Sequence, residues 1–187
     1  MRVITGKAKG KRLKAPKGLS TRPTTDRVKE SLFNIIGLIP EDSLVLDLFS
    51  GSGNVGIEFL SRGALECYFI DNDFNSIKII KENLENTKFI SQANVFKNSV
   101  GSAIKVLGKK SKKFHYIFMD PPYEKNLVVP SLESICDEDL LVNDGIVIIE
   151  HESKTELPDK IKNITTFDTR RYGDTTITFY KHEEEMK

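Results

Sequence analysis

The sequence has little of what would build a membrane-embedded, secreted or metal-centred protein. No stretch of its 187 residues approaches the ~20 consecutive apolar residues that a membrane span requires. The basic N-terminus has no apolar run behind it, so no signal peptide is expected. Two cysteines, Cys67 and Cys136, are too few for a disulfide scaffold and have no metal-ligand spacing. The three histidines, His115, His151 and His182, are scattered and form neither a metal set nor a triad. His115, at the start of an apolar strand, reads as structural. No internal repeat or low-complexity segment stands out. With no export signal, a reducing cytoplasm is the expected compartment, and neither a membrane nor a metal is an expected partner.

Acidic residues are also missing from one place: none occurs before Asp26. Residues 1–30 carry a net charge of +8, and the rest of the chain carries −7, although the whole is only +1. A solvated basic tail fits this asymmetry, and so does an arm that neutralises phosphates. The Lys-rich segment 105–113 precedes an apolar strand. It therefore belongs at the end of the sheet away from any crevice and reads as a solvated loop.

What remains is an ordinary globular composition, 39% hydrophobic and 29% charged, on a chain long enough for one domain with a real core. Three segments are expected: a basic arm over residues 1–22, a main domain over 23–182 and a tail over 183–187. In the arm, Gly6, Gly10, Pro16 and Gly18 separate short apolar pairs, a pattern for a small hairpin. Thr25 or Asp26 can cap a helix that Gly37 and Pro40 end. Strands are predicted over 44–48, 66–70, 89–96, 114–119 and 145–149. Helices are predicted over 55–60, 74–84, 100–107 and 127–135. Residues 164–169 and 175–180 form a terminal strand pair around Tyr172-Gly173-Asp174, with Arg170, Arg171 and Tyr172 in a loop that can reach the crevice. Strands separated by helices imply βαβ units, a parallel sheet and an α/β fold. Ligands in such sheets sit at the carboxyl ends of the strands.

Three features share that edge. Gly51-Ser52-Gly53-Asn54-Val55-Gly56 matches G-x-G-x-x-G, a loop whose backbone can approach a ligand closely. Asp71 follows Gly51 by twenty residues, where an acid accepts hydrogen bonds from ribose hydroxyls. These two alone also fit a nicotinamide or flavin dinucleotide enzyme. Asp47 weighs against that reading, because an acid just before the loop repels a pyrophosphate and attracts the ammonium of a methionine moiety. The third feature is Asp120-Pro121-Pro122-Tyr123, after the strand Tyr116–Met119. The prolines have no backbone donor, which leaves two acceptors, the Asp120 carboxylate and the Pro121 carbonyl, beside the aromatic face of Tyr123. Two acceptors can hold both N–H bonds of a base amino group and aim its lone pair, while the ring stacks on the base. This chemistry does not separate guanine N2 from adenine N6. A non-catalytic RNA-binding protein would need the basic arm but neither Asp71 nor Asp120.

The Asp47-to-Gly53 string resembles the first motif of Rossmann-like methyltransferases, and Asp120–Tyr123 resembles the signature of amino-group methyltransferases. Further strings occur in order: Met1–Lys7, Arg22-Pro23-Thr24-Thr25-Asp26-Arg27-Val28-Lys29-Glu30, and Arg171-Tyr172-Gly173-Asp174-Thr175. Over nearly the whole chain the sequence resembles the bacterial RsmD family, which methylates guanine N2 in small-subunit ribosomal RNA. The resemblance implies a class I methyltransferase fold, with a seven-stranded, mostly parallel sheet, helices on both faces and a small N-terminal hairpin arm. It implies S-adenosylmethionine as the cofactor and ribosomal RNA, within a small-subunit assembly particle, as the partner that the arm contacts. Asp47, Phe49, Gly51, Gly53 and Asn72 would line the cofactor pocket, and Asp71 would hold the ribose. Thr24, Thr25 and Arg27 would close over the methionine end. Asn98 or Ser99 would meet the adenine edge, where many methyltransferases carry an Asp. Asp120, Pro121, Pro122 and Tyr123 would hold the target base. Methylation of adenine N6 in DNA or RNA is the alternative within the class, although a DNA enzyme usually carries a target-recognition segment for which this chain has little room.

Overall fold

A computed structural model describes residues 1–15, 26–122 and 127–183. Thr24, Thr25 and Tyr123 lie outside the described residues. Helix α1 (Asp26–Ile36) leads into an alternation of strands and helices: β1 (Leu44–Leu48), α2 (Asn54–Arg62), β2 (Glu66–Asp71), α3 (Phe74–Thr87), β3 (Ala93–Lys97), α4 (Val100–Lys109), β4 (Phe114–Met119), α5 (Val128–Asp137) and β5 (Leu141–Glu152). The chain closes with β6 (Lys160–Ile161), β7 (Ile164–Tyr172) and β8 (Thr175–His182).

The strands form one eight-stranded sheet in the order β3-β2-β1-β4-β5-β8-β7-β6. β1 to β5 are parallel, and β6, β7 and β8 pair antiparallel. The α/β methyltransferase-like architecture agrees with expectation, but the strand count is eight rather than seven. The extra strand, β6, is two residues long and exists through its pairing with β7. So short a run carries no period of its own. Further boundaries move, and β5, expected over 145–149, runs from Leu141 to Glu152. The strand expected over 89–96 begins as a 3-10 turn at Ile90–Gln92 and becomes β3 only from Ala93. Arg170, Arg171 and Tyr172 belong to β7 rather than to a loop, because each pairs with a residue of β8.

Two apolar layers cover the sheet. Val45, Phe69, Phe118, Ile148 and Phe179 pack under α1, α2, α3 and the N-terminal segment. Leu46, Leu48, Ile70, Ile117 and Ile149 pack under α4 and α5. Residues 1–13 fold back on themselves through an Arg2–Arg12 bridge and bury Val3, Ala8 and Leu13 in the first layer. The segment is knitted to α2: the Ile4 and Thr5 N–H groups donate to the Glu58 carboxylate at 2.8 and 3.0 Å, and Ala8 N–H donates to Ser61 Oγ at 3.0 Å. Glu58 also accepts from the fully buried Lys29 of α1 at 3.1 Å, whose Nζ reaches Arg2 O and Asn54 Oδ1 as well.

Candidate active site

Strand order reverses between β1 and β4, so the loops after these neighbouring strands open on one crevice. The glycine loop at its floor is held in a conformation that most residues resist. Phe49, Gly51 and Gly53 all have positive φ (58°, 56° and 73°), and only the glycines adopt this without strain. Ser50 clamps the loop to β2: its Oγ donates to Asp47 O at 2.6 Å and accepts from Ile70 N–H at 2.9 Å. Gly56 is needed for space. A Cβ there would stand 2.4 Å from the Phe69 ring and 2.8 Å from Asp47 Oδ2.

Asp47, at the end of β1, is 1% exposed and accepts from Gly56 N–H at 3.1 Å. Burial pushes its carboxyl well above the ordinary range, against the pull of that hydrogen bond. Asp71, at the end of β2, accepts from Gly51 N–H at 2.8 Å and from Asp73 N–H at 2.9 Å. These bonds aim the carboxylate, and burial outweighs them and raises its pKa. Each oxygen keeps a lone pair for a further donor.

A cavity of about 250 Å³ opens beside it. Phe49, Asp71, Asn72, Asn98 and Ser99, all singled out in the sequence, line its wall. Asn98 is placed by its own N–H, which donates to Asp71 O at 3.0 Å, and Ser99 caps α4. Leu127, Pro130, Ser131 and Ser134 close the opposite side. No sequence pattern marks these four, because their part depends on how α5 packs. Arg27 is exposed in the first turn of α1 and does not line this cavity.

Asp120 leaves β4 half-buried beside Asp47 and Glu150. Desolvation, then the charges of Glu150 and Asp47, raise its carboxyl well above the ordinary range. Glu150 is 2% exposed and was not singled out in the sequence. The signal was present, since it ends an apolar run, Val147-Ile148-Ile149, just as Asp71 and Asp120 end theirs. On the far side of the prolines, His151 lines a second cavity of about 220 Å³ with Pro121 and Pro122. Its ring contacts Thr178 Oγ1 and Glu152 O, and burial lowers its pKa, which favours the neutral ring. His115 is structural, as expected: its Nδ1 accepts from Leu44 N–H at 3.0 Å.

A glycine loop, an aimed acid after the second strand and an Asp-Pro-Pro at the switch point of this sheet define a Rossmann-like methyltransferase. The family model described as "Conserved hypothetical protein 95" matches residues 1–181. The chain is 42% identical to YlbH of Bacillus subtilis, whose name assigns it to rRNA methylation, over 97% of this chain and 98% of that one. It is 30% identical to the Ribosomal RNA small subunit methyltransferase D of Escherichia coli strain K12, over 98% of this chain and 90% of the relative. The solved structure of yhhF from Escherichia coli superposes with a TM-score of 0.84 at 31% identity, covering 98% of both chains. The chain belongs to this family, the RsmD family of methyltransferases.

Proposed function

We propose that this protein transfers a methyl group from S-adenosylmethionine to the exocyclic N2 of a guanine in small-subunit (16S) ribosomal RNA, presented within an assembly particle. The observation that carries the reading is Asp120, followed by two prolines, at the strand switch point, one strand across β1 from Asp71, which lines a nucleoside-sized cavity with Asn98 and Ser99. These residues fit the cofactor. Asp71 has acceptor capacity for ribose hydroxyls, Asn98 and Ser99 offer polar atoms to an adenine edge, and Phe49 offers an apolar wall. Asp47, at the root of the glycine loop, is assigned to the methionine ammonium, whose positive charge would favour the ionised carboxylate that burial disfavours. Thr24, Thr25 and Arg27 are assigned to the methionine carboxylate end on family resemblance.

When bound, S-adenosylmethionine supplies an electrophilic methyl, which the amino nitrogen attacks in line as the S–C bond breaks. The target guanine leaves its stack to reach the site, as enzymes acting on bases generally require. Asp120 and the Pro121 carbonyl each accept one N2–H bond. This holds the nitrogen with its lone pair toward the methyl, and Tyr123 covers the ring. Pro121 and Pro122 present no competing N–H donor. Positioning supplies most of the rate, and Asp120 takes the proton that the alkylated nitrogen sheds.

The test incubates the protein with labelled S-adenosylmethionine and small-subunit particles lacking the modification, then digests the RNA and identifies the nucleoside. N2-methylguanosine is expected, and N6-methyladenosine would move the reading to the adenine alternative. In single-turnover runs at saturating cofactor, Asp120→Ala should be slower by about 10²-fold or more, because the lost contact is made mainly in the transition state. Its affinity for S-adenosylmethionine should stay within a few-fold of wild type. Tyr123→Phe should be mild where Tyr123→Ala is not, because stacking needs the ring rather than the hydroxyl.

A further inference from the structure

Glu150 has no part in the reading above, yet it occupies the crevice. β4 and β5 run parallel with Phe118 beside Ile148 and Met119 beside Ile149. One step further along both strands stand Asp120 and Glu150. Side chains alternate across a strand, so Asp120 shares a face with Phe118, and Glu150 shares it with Ile148. Phe118 and Ile148 both belong to the layer under α1 and α2. Asp47 turns to the same face, where it meets Gly56 of α2. Three carboxyl groups from adjacent strands therefore converge under the crevice, and Glu150 is 2% exposed.

We propose that Glu150 is a positioning residue for methyl transfer: its carboxylate, set beside that of Asp120, makes Asp120 the acceptor for the proton that the methylated amino group must lose. The proposal rests on the methyltransferase reading of the site. An isolated carboxylate is a feeble base at neutral pH, sufficient to orient N–H bonds but poorly matched to taking a proton. A second carboxylate at close range disfavours the charge on the first and strengthens it as a base. In the step itself the N2–H bond breaks, its electron pair stays on the methylated nitrogen, and the proton moves to an Asp120 oxygen. Glu150 exchanges nothing with substrate.

Among the described residues, the other groups facing the pair leave this assignment in place. From β1, Asp47 adds negative charge of the same sense as Glu150. From β8, the residue opposite Glu150 is the apolar Ile177. Beyond it on β7, Arg170 stands opposite Ile177 and is bound to the Asp168 carboxylate. From α1, Lys29 is committed to Glu58 and Asn54, Ser31 meets the Tyr172 hydroxyl, and Arg27 and Glu30 are exposed.

The experiment follows the pH profile of single-turnover methylation of small-subunit particles at saturating S-adenosylmethionine, in wild type, Glu150→Gln and Glu150→Asp. The acid limb reports protonation of Asp120. In wild type it should lie well above the ordinary carboxylate value of ~3.9. Glu150→Gln, neutral and of the same size, should move the limb to lower pH by about one unit or more and lower the plateau by roughly tenfold, since the weaker base accepts the proton less readily. Glu150→Asp keeps a carboxylate on β5 and should hold the limb near its wild-type position. Calorimetry should find S-adenosylmethionine affinity within about threefold in all three proteins, which also establishes that they are folded. A limb at the same pH in Glu150→Gln overturns the proposal. So does a wild-type limb at the ordinary value, which needs no variant to fold. If wild type yields N2-methylguanosine while these shifts fail, only the inference is lost. A different wild-type product would instead displace the reading on which it rests.

Discussion

Each acid at the crevice has its own surroundings, and these separate their roles. Asp71 is oriented by two backbone N–H donors and opens on the cavity. Asp71→Ala should weaken S-adenosylmethionine binding by about 1.5–3 kcal/mol, the scale of a hydrogen bond to a charged group. Isothermal calorimetry reads this directly, and unchanged affinity would remove the ribose assignment. Asp47 is sealed, with burial raising its pKa. The folded state then holds the Asp47 proton more tightly than the unfolded chain does. By linkage, this group's contribution to stability is full below the unfolded value of ~3.9 and is lost as the pH rises through the folded value. At neutral pH burying this carboxyl is thus a cost to the fold. Asp47→Asn should raise the melting temperature by a few degrees near pH 7, on the order of 2–4 °C for each kcal/mol relieved in a chain of this size. The gain should shrink as the pH falls through the raised value. The same variant should bind S-adenosylmethionine more weakly. A variant no more stable than wild type at pH 7 would mean that the carboxylate carries no such cost.

At the scale of elements, the parts of the site read from the sequence were those that one strand and its following turn specify. Asp71 and Asp120 each end an apolar run and Asp47 stands one residue before the end of β1, so a strand placed correctly carries its acid to the carboxyl edge of the sheet. Glu150 obeys the same rule, but no familiar string follows it. The α5 wall of the cavity and strand β6 arise from packing and pairing between distant segments, for which local periodicity has no signal. The largest omission is the anchor between α1 and α2. In the sequence Lys29 is one more cation in a basic stretch, whereas in the fold it is fully buried against Glu58 and Asn54. Desolvation lowers its pKa against the opposing pull of Glu58. Lys29→Met leaves a buried carboxylate without its main counter-charge, and breaking such a pair typically costs about 3–5 kcal/mol. Arg62 and the arm's N–H groups still reach Glu58, so the loss should fall at the lower end of that range. Adding Glu58→Gln should return part of it. Chemical denaturation of both variants checks this, and a single variant as stable as wild type would show the anchor to be dispensable.

For the whole molecule, the charge asymmetry acquires a shape. The N-terminal segment is docked on α2 through its backbone, which leaves Lys7, Lys9 and Lys11 exposed while Val3, Ala8 and Leu13 are buried. Docking is close enough that a Cβ on Gly6 would lie 1.8 Å from Ser61 O. Cutting the segment away would therefore remove core residues along with the cations, and loss of RNA binding after truncation would say little about charge. Neutralising the exposed lysines separates the two. The triple substitution Lys7→Gln, Lys9→Gln and Lys11→Gln should leave the melting temperature and S-adenosylmethionine affinity nearly unchanged, since these side chains stand in solvent. If each lysine meets a phosphate, its loss removes a slope of about 0.7–0.9 from the log–log dependence of affinity on salt. The triple variant should then bind ribosomal RNA more weakly at low salt, with a slope shallower by roughly two to three. The difference from wild type should shrink as salt rises. Filter binding across a salt series measures both quantities. The same affinity and slope in the variant would make the basic segment a structural cover for α2, with its lysines serving solubility alone.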